Sequence, residues 1–299
     1  MTVSTFMARG RKALRMPPRQ LAARLVEEFR QQTRRPWANL YPHLLRDAAI
    51  VGKEGNSVDA FWNQQLDLPF FVRPRDRARY VADFQRRYAD EVATITVAAD
   101  AVLRHEFDLL GSGVKRFGPE LPWLDDFKSG RHYGPQYCRD IQYMELDRPT
   151  DVKVPWELSR FQHVTALGQA YWLTGDERYA SEFRAQVDHW ISVNVFAYTV
   201  NWACAMDVAL RAISWIWGFY FLGDSPACRD TDFRRRFLRS LFLHGEFVLQ
   251  HRVDAIDRRP GIALGRVAEE RARARRAEAA RLILTDDARA RLEERRGDR

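Results

Sequence analysis

The sequence is poor in cysteine and has no long apolar run. Its three cysteines, Cys138, Cys204 and Cys228, are widely spaced and form no C-x-x-C pattern, which argues against a disulfide framework and against a zinc site. We expect them to be small core residues, and we expect no metal ion or other cofactor. The longest apolar stretch, residues 213–222, has about ten residues, whereas a membrane-spanning helix needs roughly 20.

The N-terminal residues 1–20 are basic, but they lack the apolar run that a signal peptide needs. These absences predict no membrane partner and, by default, a cytoplasmic location. The 299-residue chain is 46% hydrophobic, which is enough apolar material for one large domain or two modest ones. Its formal charge of +8 predicts attraction to nucleic acid, acidic lipid or acidic polysaccharide, and charge alone does not choose among them.

Strand-like alternation of useful length is also absent, and helical periodicity takes its place. Apolar side chains at a spacing of four predict a helix over residues 17–34 and one long helix or two successive helices over 75–110. Between residues 111 and 155, glycine and proline interrupt a long aromatic-rich connection. Connections of this length are usually functional or wrap a core.

Two antiparallel helical hairpins follow this connection. The first is predicted over residues 156–191, because Gly175 can end one helix in the left-handed conformation and Asp176 can cap the next. The second pairs residues 203–222 with 232–250, with a cap expected at Asp230, Thr231 or Asp232. The predicted fold class is therefore all-α.

The helix at residues 203–222 is apolar around nearly its whole circumference, which predicts a buried helix. Asp207, Arg211 and Ser214 nevertheless share one stripe along it. A buried charged stripe must be paired or must face a wet cavity. Either Asp207 and Arg211 pair on one face, or the stripe lines a cleft to which Asn201 and Trp202 add an amide and an aromatic plate.

A second polar set lies in the preceding hairpin. Glu157, Arg160 and His163 recur at spacings of three, which would place them on one side of a helix that begins near Trp156. Such a pattern is most often a solvated face, and the alternative is one wall of a binding cleft.

Several segments of the chain resemble one protein family. They are DVKVPWELSRFQHVTALGQAYWLTGDERYASEF (151–183), NWACAMDVALRAISWIWGF (201–219), LLGSG (109–113), WLDDFKSG (123–130) and KALRMPPRQLAARL (12–25). Together they are similar to the N-terminal helical domain of the heparinase II/III-like polysaccharide lyases. The resemblance implies an incomplete α/α toroid over residues 1–251, built of antiparallel helical hairpins and without the C-terminal β-sandwich that follows in the family.

The family's activity is implied by the same resemblance. Its members cleave uronic-acid-containing polysaccharides, such as glycosaminoglycans, by β-elimination, using an Asn or His and a Tyr from the toroid and a His from the sandwich. We therefore expect an acidic polysaccharide as partner and no nucleic acid. As this chain lacks part of that machinery, we expect it to be inactive, and the alternative is a non-catalytic helical domain that binds an acidic glycan or a protein.

No catalytic residue is assigned from the sequence. The expected substrate-binding residues are Trp156, Glu157, Arg160, His163, Asn201, Trp202, Asp207 and Arg211. Arg160 and Arg211 are the candidate carboxylate or sulfate contacts, because a guanidinium holds either group in a bidentate fork. An exposed face of the incomplete toroid also predicts self-association.

The composition changes abruptly after residue 251. Residues 252–299 contain 14 Arg and 10 Ala but no Lys and no aromatic residue, although the chain has 37 aromatic residues. This Arg/Ala-rich tail is either a genuine charged segment or the product of a frameshift in a GC-rich gene, and we favour the frameshift. The predicted domain boundary therefore lies at residue 251.

Overall fold

The computed structural model describes residues 35–36, 38–52, 57–143 and 150–257, with side chains described up to residue 251. It contains two compact units, residues 1–44 and 45–299. The first is described only over a short helical segment, residues 35–36 and 38–44. The predicted helix at 17–34 and residues 258–299 lie outside the described residues, and the boundary at residue 251 stays a prediction.

The described part of the second unit is predominantly helical. Its helices are α1 (Asp47–Val51), α2 (Val58–Leu66), α3 (Arg77–Arg87), α4 (Glu91–Leu103), α5 (Lys153–Ser159), α6 (Val164–Thr174), α7 (Glu177–Val193), α8 (Ala205–Leu222) and α9 (Thr231–Asp257). This confirms the all-α prediction. None of the described helices is long and apolar enough to cross a membrane.

Both predicted hairpins form. Helices α6 and α7 meet at Gly175, which has φ of 74°, and Asp176 caps α7 by accepting a hydrogen bond from the backbone of Arg178 at 3.0 Å. Helices α8 and α9 are the second pair, and Asp230 accepts the backbone N–H groups of Asp232 and Phe233. The predicted turn chemistry therefore sets both helix boundaries.

Helix α8 is central to the packing because it contacts both α6 and α9. Glycines permit the close approach of α6 and α8: a Cβ at Gly168 would lie 2.5 Å from the Cβ of Phe221, and one at Gly218 would lie 2.6 Å from Phe183 and Val164. Buried aromatic residues fill the other side of α8, where Trp215 stacks on Phe237 with ring centroids 5.5 Å apart.

Three expectations about these helices need correction. The 75–110 region forms two successive helices, which is one of the two predicted alternatives, and the break lies at Tyr88, where φ is −136° and ψ is 46°. Its predicted end is wrong, because α4 ends at Leu103. Helix α8 is not buried all round, since Met206 is 60% exposed and Ile213 is also exposed. The first arm of the 156–191 hairpin is broken, because Phe161 takes a positive φ of 58° between α5 and α6.

The long connection and the residues just before it contain short strands that the periodicity did not reveal. Strands β1 (Glu106–Asp108) and β2 (Val114–Arg116) pair antiparallel, as do β3 (Asp125–Asp126) and β4 (Arg131–His132). Strands of two or three residues are too short for an alternating pattern to be recognised. The connection packs against the helices, because Leu124, Tyr133 and Val152 share one buried cluster with Val200.

Candidate functional site

Helix α5 presents the first group of predicted site residues. Trp156 donates a hydrogen bond from Nε1 to the carbonyl oxygen of Val200 at 2.9 Å, which ties α5 to the turn before α8. Its ring also packs edge-on against Tyr143, with centroids 5.4 Å apart. One helical turn later, the backbone N–H of Arg160 closes the helix on the carbonyl of Trp156.

Arg160 is held between two carboxylates. Its Nε donates to Oδ1 of Asp207 at 2.7 Å, and its Nη1 donates to Glu157. The side chain of Asp207 is only 1% exposed, whereas that of Arg160 is 18% exposed. We call Glu157, Arg160 and Asp207 the Arg160 cluster. The guanidinium is therefore fixed in orientation and still reaches solvent.

The base of the Arg160 cluster contains an unsatisfied acceptor. The second carboxylate oxygen of Asp207, Oδ2, is buried and has no hydrogen-bond partner among the described protein atoms. The thiol of Cys204 lies beside this carboxylate, and burial raises the pKa of Cys204.

Arg211, one helical turn after Asp207, is fully buried. Its Nε donates to Nε2 of His244 at 2.8 Å, and its Nη2 donates to the carbonyl of Asn201 at 3.1 Å. The guanidinium carbon lies 4.1 Å from the ring centre of Trp190. Asp207 thus pairs with Arg160, and among the described side chains it forms no direct ion pair with Arg211. An Asp207–Arg211 pair therefore does not explain the charged stripe.

The environment of Arg211 shifts the proton affinities of both partners. Burial lowers the pKa of Arg211 to about 9, and the nearby Asp207 partly offsets this effect. Burial, and then the positive charge of Arg211, lowers the pKa of His244. His244 is therefore neutral at pH 7: its Nδ1–H donates to the carbonyl of Ser240 at 2.6 Å, and its Nε2 accepts from Arg211.

Asn201 and Trp202 complete this buried layer. The amide nitrogen of Asn201 donates to the carbonyl of Trp123 at 2.8 Å and to Oδ1 of Asn194 at 2.9 Å. Trp202 donates from Nε1 to the carbonyl of Asn194 at 3.2 Å. Both side chains are buried, and the Trp202 ring lies 4.6 Å from His244, centroid to centroid. We call Asn201, Trp202, Arg211 and His244 the buried polar layer.

His163 lies apart from the Arg160 cluster. Because the chain breaks its helix at Phe161, His163 turns toward α7, where its Nε2 contacts Oε1 of Gln186 at 2.7 Å. Gln186 in turn donates to Glu182, which contacts Nε2 of His105 at 2.8 Å. Burial lowers the pKa of His163 to about 4. The expectation that His163 shares one side with Glu157 and Arg160 is therefore wrong.

The structure brings the other predicted residues together as a partly exposed group and a buried group. Trp156, Glu157 and Arg160 are partly exposed, and Asn201, Trp202, Asp207 and Arg211 lie buried beside them. His244 and Asn194 are members of this network that the sequence analysis missed. His244 follows Phe237 by seven residues, so the face of α9 that carries Phe237 could have indicated it. Asn194 follows the end of α7 and carries no such signal.

The chemistry available here is hydrogen bonding and charge recognition. A fixed guanidinium suits a carboxylate or a sulfate, and a partly exposed tryptophan suits the apolar face of a sugar ring. Within the described ranges, no group of three or more His, Cys, Asp or Glu side chains is arranged to hold a metal ion.

Comparison with known proteins gives one family match. The model of the family described as heparinase II/III N-terminus matches residues 68–255. No curated protein matches the sequence significantly.

Among solved structures, similarity is found to a heparan sulfate lyase HepC mutant from Pedobacter heparinus, with 21% identity over 64% of this chain and 28% of that one and a TM-score of 0.42. HepC itself, from the same organism, has 18% identity, with 72% of this chain and 26% of that one covered and a TM-score of 0.40. A heparinase III gene product with methylated lysines has 23% identity, with 52% of this chain and 24% of that one covered and a TM-score of 0.37. The chain spans about a quarter of the length of these proteins.

Proposed function

Because the chain belongs to the heparinase II/III N-terminus family, we propose that its helical unit is the glycan-binding part of a polysaccharide lyase that acts on uronic-acid-containing polymers by β-elimination. The observation that carries the proposal is the Arg160 cluster. A guanidinium held by Glu157 and Asp207 and still 18% exposed is suited to a uronate carboxylate or a sulfate group.

The partly exposed group and the buried group suggest different roles. We propose that Trp156, Glu157 and Arg160 contact the glycan, since they are the partly exposed members of the network. Asn201, Trp202, Asp207 and Arg211 are buried, which favours a role in positioning Arg160 and α5 over direct contact. His163 points into the interface with α7, so we do not propose it as a glycan contact.

The described residues support binding better than cleavage. β-Elimination needs a base to remove the proton next to the uronate carboxyl and donors that stabilise the negative charge that develops. The family resemblance assigns these roles to an Asn or His, a Tyr and a His, and none of the predicted site residues takes the role of base. We therefore propose that this chain binds its polymer without cleaving it.

A protein partner is the second candidate function. Helix α8 exposes Met206 and Ile213 on its outer side, and exposed apolar side chains on one helix favour a protein contact or self-association. Under this alternative the unit is a non-catalytic binding domain, and the Arg160 cluster is structural.

The test uses the full chain with heparan sulfate, alginate and polygalacturonate. Binding is measured by isothermal titration calorimetry, and cleavage is followed by the absorbance of the unsaturated product in the far ultraviolet. We expect binding of at least one polymer without a rise in absorbance. A rise would contradict the proposed inactivity, and the absence of binding to all three would favour the protein partner.

Variants of Arg160 locate the binding site. Arg160→Lys keeps a positive charge beside Asp207 but removes the planar fork, so we expect roughly tenfold weaker binding. Arg178→Ala is the control, because Arg178 pairs with Asp176 on the exposed start of α7, away from the Arg160 cluster. Equal affinities of these two variants, with unchanged circular dichroism, would remove Arg160 from the site.

A further inference from the structure

The two β-hairpins of the long connection border a cavity of about 390 Å³. This volume lies within the range of about 300–1,000 Å³ that is typical of small-ligand sites. None of the eight residues assigned above lines it. Its lining includes Lys115, Phe117, Pro122, Asp125, Phe127 and His132.

Aromatic rings form one wall of the cavity. Phe117 and Phe127 pack edge to face, with centroids 5.5 Å apart and an interplanar angle of 68°. Both rings are partly exposed. The ammonium group of Lys115 lies over the Phe127 ring, 4.5 Å from its centre, so a positive charge is held against the apolar wall.

A carboxylate and an imidazole provide polar groups of the same cavity. Nδ1–H of His132 donates to Oδ1 of Asp125 at 2.5 Å, across the β3–β4 pair. Both side chains remain substantially exposed. The neighbouring Asp126 differs, because it is buried and accepts hydrogen bonds from Lys128, Ser129 and Asp151. Asp125 is therefore the carboxylate with capacity for a ligand, while Asp126 holds the hairpin together.

The β3–β4 hairpin is joined to the helix that carries Arg160. Oδ2 of Asp126 accepts the backbone N–H of Asp151 at 2.9 Å, just before α5 begins. Trp156 also packs against the buried cluster that contains Leu124 and Tyr133 from the hairpin. The cavity and the Arg160 cluster thus belong to one packed region.

We propose that this cavity is a second glycan subsite, which holds one pyranose ring of an acidic polysaccharide. The C–H face of the ring stacks on Phe127 and Phe117, neighbouring hydroxyl groups donate to Asp125, and Lys115 binds an acidic substituent. The combination of an aromatic wall, one carboxylate acceptor and one ammonium group matches a sugar acid better than it matches an apolar ligand or a bare anion. The subsite rests on the proposed function, because it is assigned to the same polymer.

The test measures binding of an unsulfated glucuronate–N-acetylglucosamine tetrasaccharide to the full chain by calorimetry, with cellotetraose as the neutral probe. Phe127→Ala should weaken binding of the acidic tetrasaccharide roughly three- to tenfold through loss of the stacking surface. Lys115→Gln, an exposed substitution that should leave the fold intact, should weaken it severalfold, reduce its salt dependence and leave cellotetraose unaffected. Phe71→Ala is the control, since Phe71 is exposed but does not line the cavity.

Amine labelling gives a residue-specific readout. Reaction of Lys115 with an amine-reactive ester should slow when the tetrasaccharide is bound. Lys128, which is exposed in the neighbouring β3–β4 hairpin but outside the cavity lining, should react at an unchanged rate. Equal protection of both lysines, or protection of neither, would overturn the subsite.

The outcomes separate the subsite from the proposed function. If Arg160→Lys weakens tetrasaccharide binding and the cavity variants do not, the subsite is overturned and the proposed function stands. If the cavity variants weaken binding and Arg160→Lys does not, the subsite stands and Arg160 leaves the site. Failure of the native chain to bind the tetrasaccharide and all three polymers overturns both.

Discussion

Replacement of the buried Arg211 by alanine should destabilise the fold strongly. Its guanidinium is the donor for two buried acceptors, Nε2 of His244 at 2.8 Å and the carbonyl oxygen of Asn201 at 3.1 Å. It also lies 4.1 Å from the centre of the Trp190 ring. A third contact, to the carbonyl of Ser159 at 3.5 Å, is too long to add much.

The size of the effect follows from these contacts. Leaving two buried acceptors without donors costs about 2–4 kcal/mol, and loss of a desolvated cation–π contact costs about 2 kcal/mol. The variant also avoids the desolvation of a charged group, which offsets part of this loss. The net expectation for Arg211→Ala is a loss of about 3 kcal/mol, which corresponds to a fall in Tm of about 6–12 °C for a unit of this size.

Urea unfolding followed by tryptophan fluorescence and circular dichroism measures this loss. Arg178→Ala is the control, because Arg178 is 70% exposed in its ion pair and an exposed pair contributes less than about 1 kcal/mol. Arg211→Met should be milder than Arg211→Ala, since methionine fills more of the space. A loss for Arg211→Ala that is no larger than that for Arg178→Ala would refute the reasoning.

Two further predictions concern helix packing and pH. Gly168→Ala should lower the free energy of unfolding by about 1–3 kcal/mol, because the new Cβ would lie 2.5 Å from the Cβ of Phe221. Gly245→Ala, which has open space around its Cβ, should instead stabilise α9 by about 0.5–1 kcal/mol. Thermal melts of the two variants measure this difference. Since burial lowers the pKa of His163 to about 4 and also lowers that of His244, the folded state binds fewer protons than the unfolded state below pH 6.5. As the pH decreases from about 6.5 to 4, the free energy of unfolding should therefore decrease by up to about 1.4 kcal/mol per pH unit through His163, and His244 should add to this decrease. The free energy of unfolding of His163→Gln, measured by urea titration at several pH values, should depend less steeply on pH than that of the native chain.

Helix boundaries were predictable where turn chemistry determines them. Gly175 adopts the left-handed conformation expected of it, with φ of 74°, and Asp176 and Asp230 cap the helices that follow them. The break at Phe161 carried no such signal, because phenylalanine rarely takes a positive φ. The reason for this conformation is tertiary: the ring stacks on Trp123, from the long connection, at 4.9 Å.

The hydrogen-bond pairing of the buried charges was not predictable from the sequence. The sequence indicated that Asp207 and Arg211 need partners inside an apolar helix, and residues spaced along one helix were the obvious choice. The partners lie on other helices instead, with Arg160 at the end of α5 and His244 on α9. Such pairings depend on how α5, α8 and α9 pack, and periodicity within one helix contains no information about that packing.

The pairing gives a physical reason for charges in the apolar helix α8. Asp207 and Arg211 are separated by one turn, and each holds a group from a different element. Asp207 binds Arg160 at the end of α5, and Arg211 binds His244 of α9. Two apolar side chains at these positions would bury apolar surface but would not orient the side chains they contact, whereas hydrogen bonds fix the orientation of both partners. Burial of the charged groups of Asp207 and Arg211 therefore disfavours folding, but it fixes the orientation of the partly exposed guanidinium of Arg160. The proposed glycan contact requires this fixed orientation.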